Sequence, residues 1–293
     1  MRKVLINILS NSLGDTIVSI PYINKYKKDQ NCDLYVKVNP RFQFLFKNSY
    51  PDLKFVDSIE GFKEIIPIDY KFTTNIQEGF ALDLGYRNWE YIQPKLNIPI
   101  KERPIKGKYV VISVHSTSQL KYWNHPKGKS VQGTPPYWTE LCRMLRKKGF
   151  TPVVVEWDEL FGWAPHWNGL PKKSNNKTRV PLDKTINYIQ HAEFFIGLSS
   201  GLTWLAHALG TKVVMISNFT EDWHEIPVNH ADYKRITNKL VCHGCFNKVG
   251  IDHKFDFKDW YWCPKHKDTP RQFECHTSIT PNMVMEQIND WLK

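Results

Sequence analysis

Apolar residues arrive in short runs, and the runs alternate with segments of helical period. Residues 4–9 (VLINIL) form an apolar, partly β-branched run, and Asn11-Ser12-Leu13-Gly14-Asp15 reads as the turn that follows. Thr16 to Lys28 is predicted helical and amphipathic after Pro21. Residues 34–38 (LYVKV) predict a second strand, Asn39-Pro40 opens a helical stretch to about 48, and FVDSI and EIIPI read as later short strands. Strand, turn, helix and strand in this order predict a parallel α/β sheet. Asn97 to Lys108 then carries two prolines, a glycine and four basic residues, the composition of an interdomain linker. A second series follows. It has strands at Tyr109–Val114, Thr151–Glu156, Phe194–Ile196 and Lys212–Ile216, and helices at Tyr137–Lys148, Leu182–His191, Leu202–Leu209 and about Pro281–Leu292. The pattern predicts two α/β domains, residues 1–100 and 105–293, facing one another across a cleft.

Composition narrows the class. Of the 293 residues, 14% are aromatic, which argues against a disordered chain. There is no apolar run of about 18 residues, so no membrane span is expected. The apolar run at the start is too short for a signal peptide and reads as a strand, so export is not expected. Lysine and arginine (40) outnumber aspartate and glutamate (29), giving a formal charge of +11. That balance fits an anionic partner, whether nucleic acid, anionic lipid or a phosphorylated small molecule; it fits a solvated lysine-rich surface as well.

Three turns at strand ends could carry chemistry. Asp15, opening a helix after the first strand, is placed either as a general base for an acceptor hydroxyl or as the N-cap of its helix. Ser116 to Trp123 follows the first strand of the second series; its hydroxyls, Thr117 among them, and Lys121 suit a phosphate, or form an ordinary polar loop. Gly197-Leu198-Ser199-Ser200-Gly201-Leu202 joins a strand to a helix, where backbone amides make an anion site and glycines admit a pyrophosphate. It has neither P-loop nor GxGxxG spacing. Glu156 ends a strand, as a ribose-binding carboxylate does, or is a surface acid.

Six cysteines divide into two groups. Cys32 and Cys142 sit in apolar settings and are expected as buried free thiols. Cys242-His-Gly-Cys245 is followed after 17 residues by Cys263 and after 11 more by Cys275. With no export signal, this predicts one structural metal ion, zinc or a single iron, in a lobe at about 240–277. Gly244 allows the tight turn. His266, in Cys263-Pro-Lys-His266, is an alternative fourth ligand.

Together these residues resemble heptosyltransferases of the lipopolysaccharide type, a GT-B group, through Leu13-Gly14-Asp15, Thr117 to Lys121 and Trp123, and Gly197 to Leu202. LKYWNHP (120–126), GLSSGLTWLAHALG (197–210), CHGC (242–245) and WCPKHKDTPRQFEC (262–275) resemble more narrowly the bacterial autotransporter heptosyltransferases, which glycosylate protein serines and threonines from ADP-heptose. The resemblance implies an inverting, single-displacement glycosyltransferase of GT-B fold, with an N-terminal acceptor domain and a C-terminal nucleotide-sugar donor domain. It implies Asp15 as base, Lys121 with Thr117 on the donor diphosphate, and backbone amides of Ser200, Gly201 and Leu202 beside them. It implies an iron held by the four cysteines and requires no catalytic metal. Ser199 stands where lipopolysaccharide enzymes often carry an acid. The autotransporter enzymes have a further domain ahead of the first strand, whereas this sequence starts at that strand, so the acceptor is left between two choices. One is a bacterial surface protein; the other is hydroxymethylated cytosine in DNA, as glycosylated by some phages, which would suit the basic charge. The expected location is the cytosol, bacterial or phage-infected. A homo-oligomer is possible, and a non-catalytic nucleic-acid-binding protein with a metal finger is the reading from another class.

Overall fold

The computed structural model describes residues 2–116, 123, 136–159, 161–163, 166–228, 230–256, 259 and 262–293, with backbone alone at 136, 161–163 and 166–168. The first half runs β1 (Arg2–Ile8), α1 (Leu13–Asp29), β2 (Cys32–Lys37), α2 (Pro40–Lys47), β3 (Lys54–Val56), β4 (Glu64–Ile68) and α3 (Ile76–Asp83). The second runs β5 (Tyr109–Ser113), α4 (Pro136–Lys147), β6 (Thr151–Glu156), β7 (Phe161–Trp163), β8 (His166–Asn168), β9 (Asn175–Thr178) and α5 (Leu182–Gln190). It continues with β10 (Phe195–Leu198), α6 (Gly201–Ala208), β11 (Val213–Ile216), β12 (Tyr233–Ile236), α7 (Glu274–Thr277) and α8 (Pro281–Gln287). α1 begins three residues ahead of the predicted start because the Ser12 hydroxyl accepts the Asp15 amide and caps the helix there. The last helix stops at Gln287 and gives way to a 3₁₀ turn at Asn289–Trp291.

Two sheets result, in the orders β3-β2-β1-β4 and β12-β11-β10-β5-β6-β9, with a separate β7-β8 hairpin. Every pairing within the two large sheets is parallel. In each, the first strand lies inside and later strands add on both sides. The order therefore reverses between β1 and β4 and between β5 and β10. Ligands of doubly wound sheets bind beyond the carboxyl ends of strands at such reversals. The inner strands are apolar throughout, with Val110, Val111 and Ile112 of β5 and Val213 to Ile216 of β11 fully buried, as two-sided burial demands. One buried cluster joins Val4 and Ile6 of the first sheet to Val111 and Phe195 of the second through α1 and α6. Residues 97–108 form no helix or strand. They are held from outside: the Gln190 side chain donates to the Ile98 carbonyl at 2.8 Å, and the Asn187 amide to that of Glu102 at 3.0 Å.

Candidate active site and four-cysteine lobe

Both reversals open on one cavity of about 770 Å³. From the first sheet, Asp15 arrives after β1 and Asp69 with Tyr70 after β4; from the second, Ser116 follows β5, Glu156 ends β6 and Ser199 follows β10. Asp15 is not the helix cap, since Ser12 fills that place; the carboxylate stands in the first turn, and its Oδ2 accepts from Ser10 Oγ at 2.5 Å. Asp69 is the second acid on this side. Burial pushes its carboxyl up, the Tyr70 amide bonded to Oδ1 opposes this, and the Asp15 charge adds to it. The Tyr70 hydroxyl is pushed up to about 12 by burial and by the same two acids.

Beside the start of α1, α6 starts at Gly201. Its N-cap Ser200 makes no side-chain cap, and the Ser200 hydroxyl lies 3.5 Å from Thr203 Oγ1 instead. The first amides of α6 thus meet the cavity uncapped by their own residues, the condition of a helix-start anion site. The glycines act differently from expectation. A Cβ on Gly197 would meet the Phe195 ring at 2.7 Å, and one on Gly201 would meet Leu13 Cβ at 3.0 Å, so both are bare for packing. Ser199 is buried, and its hydroxyl donates to Glu225 Oε1. A buried acid thus stands directly behind the serine. Glu225 also accepts from Thr220 Oγ1 at 2.6 Å and from the buried Arg235 at 3.0 Å.

Glu156 is not a surface acid. It is buried, and its Oε1 accepts the Val114 amide at 2.6 Å and the His115 amide at 3.1 Å, fixing the loop after β5. Burial raises its carboxyl to about 7 against those bonds. Thr117 and Lys121 lie outside the described residues. The Ser116 hydroxyl just before them donates to the Ser199 carbonyl at 3.3 Å, closing the reversal between β5 and β10. Trp123 is fully buried with its indole N–H on the Ile279 carbonyl at 2.7 Å, a core residue rather than a stacking platform.

Cys32 and Cys142 are buried free thiols. Cys242, Cys245, Cys263 and Cys275 line one small cavity of about 20 Å³ together with His266 and Glu274. Gly244 has φ +66°, and a Cβ there would collide with the Glu221 carboxylate. Burial pushes the Cys245 thiol up to about 12, with Cys263 and Cys242 adding to it, and the Cys275 thiol well up, with the other three sulfurs adding. Four thiols lining one pocket, none of them in a disulfide, suit a thiophilic cation, which displaces their protons. His266 Nε2 is 3.6 Å from Glu274 Oε1, and that carboxylate is gripped by Arg271 at 2.6 and 2.8 Å. Among the described residues, the ligand atoms that come within 4.8 Å of one another are those of Cys242, His266 and Glu274, so the geometry favours a mixed set over four sulfurs.

Sequence reasoning missed Asp69, Tyr70, Glu225 and Arg235. Asp69 had a signal: it follows the strand EIIPI as Glu156 ends its own strand.

Two doubly wound sheets turning their reversal points to one cleft define the GT-B class of glycosyltransferase. The E. coli ADP-heptose lipopolysaccharide heptosyltransferase II shares this fold, with a TM-score of 0.62 at 12% identity over 100% of this chain and 98% of that one. No family model matches the sequence. The autotransporter heptosyltransferase Aah of Escherichia coli is 33% identical over 299 residues, 97% of this chain and 72% of that protein. TibC of E. coli O78:H11 is 31% identical over 309 residues, 98% of this chain and 71% of that protein. The crystal structure of TibC, titled an iron-containing dodecameric glycosyltransferase, superposes with a TM-score of 0.87 at 29% identity, over 99% of this chain and 76% of that one. A second TibC structure, in complex with ADP-D-β-D-heptose, gives 0.82 at 28% identity, again over 99% and 76%. The chain belongs to the autotransporter heptosyltransferases and is a glycosyltransferase.

Proposed function

We propose that this protein transfers heptose from ADP-heptose to serine or threonine hydroxyls of an autotransporter-type surface protein. The observation that carries the reading is the shared cavity, lined by the Asp15 carboxylate and, beside it, the start of α6. Asp15 takes the proton of the acceptor hydroxyl, and the oxygen attacks the anomeric carbon from the face opposite ADP. The bond to the diphosphate breaks as the new glycosidic bond forms, inverting the centre. Amides of Ser200, Gly201 and Leu202, with Thr117 and Lys121, receive the charge that develops on the leaving diphosphate. Ser199 and Glu156 serve the donor by shaping these loops. Residues 1–100 form the acceptor domain and 105–293 the donor domain.

In the lobe at 240–277, Cys242, Cys245, Cys263 and Cys275 hold one structural ion, with His266 the alternative ligand. The iron of TibC favours iron over zinc. The dodecamer of TibC supports a homo-oligomer. No described helix is long and apolar enough to cross a membrane, and the cysteines are free thiols; both accord with the cytosol. For DNA as acceptor, the charge of +11 is the sole motive, and the relatives lend it none.

The test is mass spectrometry after incubation with ADP-heptose and two acceptors, an autotransporter passenger fragment and DNA containing hydroxymethylcytosine. Heptose increments on passenger serines or threonines are expected. Increments on the nucleoside alone, or on neither acceptor, would overturn the reading.

A further inference from the structure

The four-cysteine lobe does not stand apart from the cleft. Phe246, the residue after Cys245, reaches across to the segment that follows β4. Its ring stacks on Tyr70 at 6.2 Å and 25° and meets Phe72 edge-on at 4.9 Å. On its other side it packs against Phe219 at 5.0 Å and His224 at 5.3 Å. Asn247, buried beside it, ties both halves together: its Nδ2 donates to the Phe72 carbonyl at 2.6 Å and its Oδ1 accepts the Glu221 amide at 2.7 Å. Phe246, Tyr70 and Asp69 line the same cavity as Asp15. The segment of Asp69 and Tyr70 is thus gripped from two sides. α3 holds one side, where Asp83 accepts the Asp69 amide at 2.8 Å and pairs with Lys71 at 2.9 Å. The lobe holds the other.

We infer that the lobe is the acceptor-side wall of the transfer site, with Phe246 and Asn247 as positioning residues that set Asp69 and Tyr70 beside Asp15. This rests on the reading of the Asp15 face as the acceptor side. A lobe that merely closed the surface of the second half would not need side chains seated on the first. By this arrangement an ion bound in the lobe next to Phe246 would bear on the acceptor segment through the Phe246 and Asn247 contacts.

The experiment compares the metal-loaded wild type with Phe246→Ala, Phe246→Leu and Asn247→Ala. Metal content, ADP affinity by calorimetry and amide hydrogen exchange are measured on each. Expected in the alanine variants are unchanged metal content, ADP affinity within about twofold, and exchange over residues 69–76 accelerated about tenfold with residues 195–208 unaffected. Phe246→Leu, which keeps apolar volume, restores most of the protection. On a passenger fragment that the wild type glycosylates, acceptor KM rises about tenfold while donor KM holds. Unchanged exchange at 69–76, or equal acceleration at 195–208, would overturn the inference. If the wild type glycosylates no passenger, the proposed acceptor fails, and the exchange comparison still decides the role of the lobe.

Discussion

Gly14 of α1 and Gly201 of α6 touch across the cleft. A Cβ on Gly14 would lie 3.3 Å from Gly201 Cα, and one on Gly201 would lie 3.2 Å from the Gly14 nitrogen. The two helix starts approach this closely because neither carries a side chain at the contact. Their N-termini, one bearing Asp15 and the other the uncapped amides, are thereby held side by side.

Gly201→Ala therefore forces backbone from backbone. The added methyl meets main-chain atoms that cannot swing aside, and overpacking of this kind costs about 1–3 kcal/mol. Urea unfolding is expected to show that loss, and ADP titration a weaker donor affinity, because the α6 amides move with Gly201.

Asp15→Asn keeps the shape and the bond to Ser10 but cannot accept a proton. Loss of a general base lowers turnover by about 10²–10⁴-fold. ADP affinity is expected to hold, since the diphosphate is assigned to the α6 amides and not to the Asp15 carboxylate. Transfer at the wild-type rate would remove Asp15 from the base role.

Glu156 links stability to pH. Its folded carboxyl keeps a proton to about 7, whereas the unfolded one loses it near 4.5. The folded state binds the extra proton between these values, so the contribution of Glu156 to stability is fully present below 4.5 and is lost as pH rises to 7. At 1.36 kcal/mol per unit the loss is about 3 kcal/mol. Glu156→Gln, which can still accept the Val114 and His115 amides, is expected to flatten that slope. Unfolding midpoints from pH 5 to 8 in the two proteins check it.

Cys275→Ser and Cys142→Ser separate metal from packing. Cys142, on α4, is buried in the apolar core, whereas Cys275 is partly buried and lines the four-cysteine pocket. Metal analysis is expected to find the ion lost only in Cys275→Ser, with a lower melting temperature, because binding energy of the ion is folding energy. Retention of the ion by Cys275→Ser would leave His266 as the fourth ligand.

Glu225→Ala removes one of the two carboxylates on Arg235, leaving Asp222 at 3.1 Å, and takes from Ser199 its acceptor. Breaking a buried ion pair from one side costs about 3–5 kcal/mol where the remaining charge is left alone, and the Asp222 pair holds the loss below that. Thermal unfolding is expected to show it. Ser199→Ala, which removes only the hydroxyl, is expected to cost far less.

Much of this architecture is readable along the chain, because inner parallel strands are apolar on both faces and helices between them keep their period. The elements missed are those whose neighbours supply the order. β9 (NNKT) and β12 (YKRI) are edge strands with polar faces, and they exist because β6 and β11 offer a free edge. α3 is eight residues long with Gly79 inside, bare because a Cβ there would strike the Lys71 amide at 2.6 Å.

The sequence by itself determined the run of strands and helices, the acid after β1, the small-residue turn before α6, and the spacing of the cysteines. These are local properties, fixed by hydrophobic period, capping and turn chemistry. Only the tertiary structure decided what those residues face. Asp69 stands near Asp15 because β4 pairs with β1 rather than with β3. Glu225 lies behind Ser199, and Phe246 against Tyr70, because separate loops meet at one cleft. Strand order and loop convergence are set by which apolar faces bury together across the whole chain, and no window of sequence contains that choice.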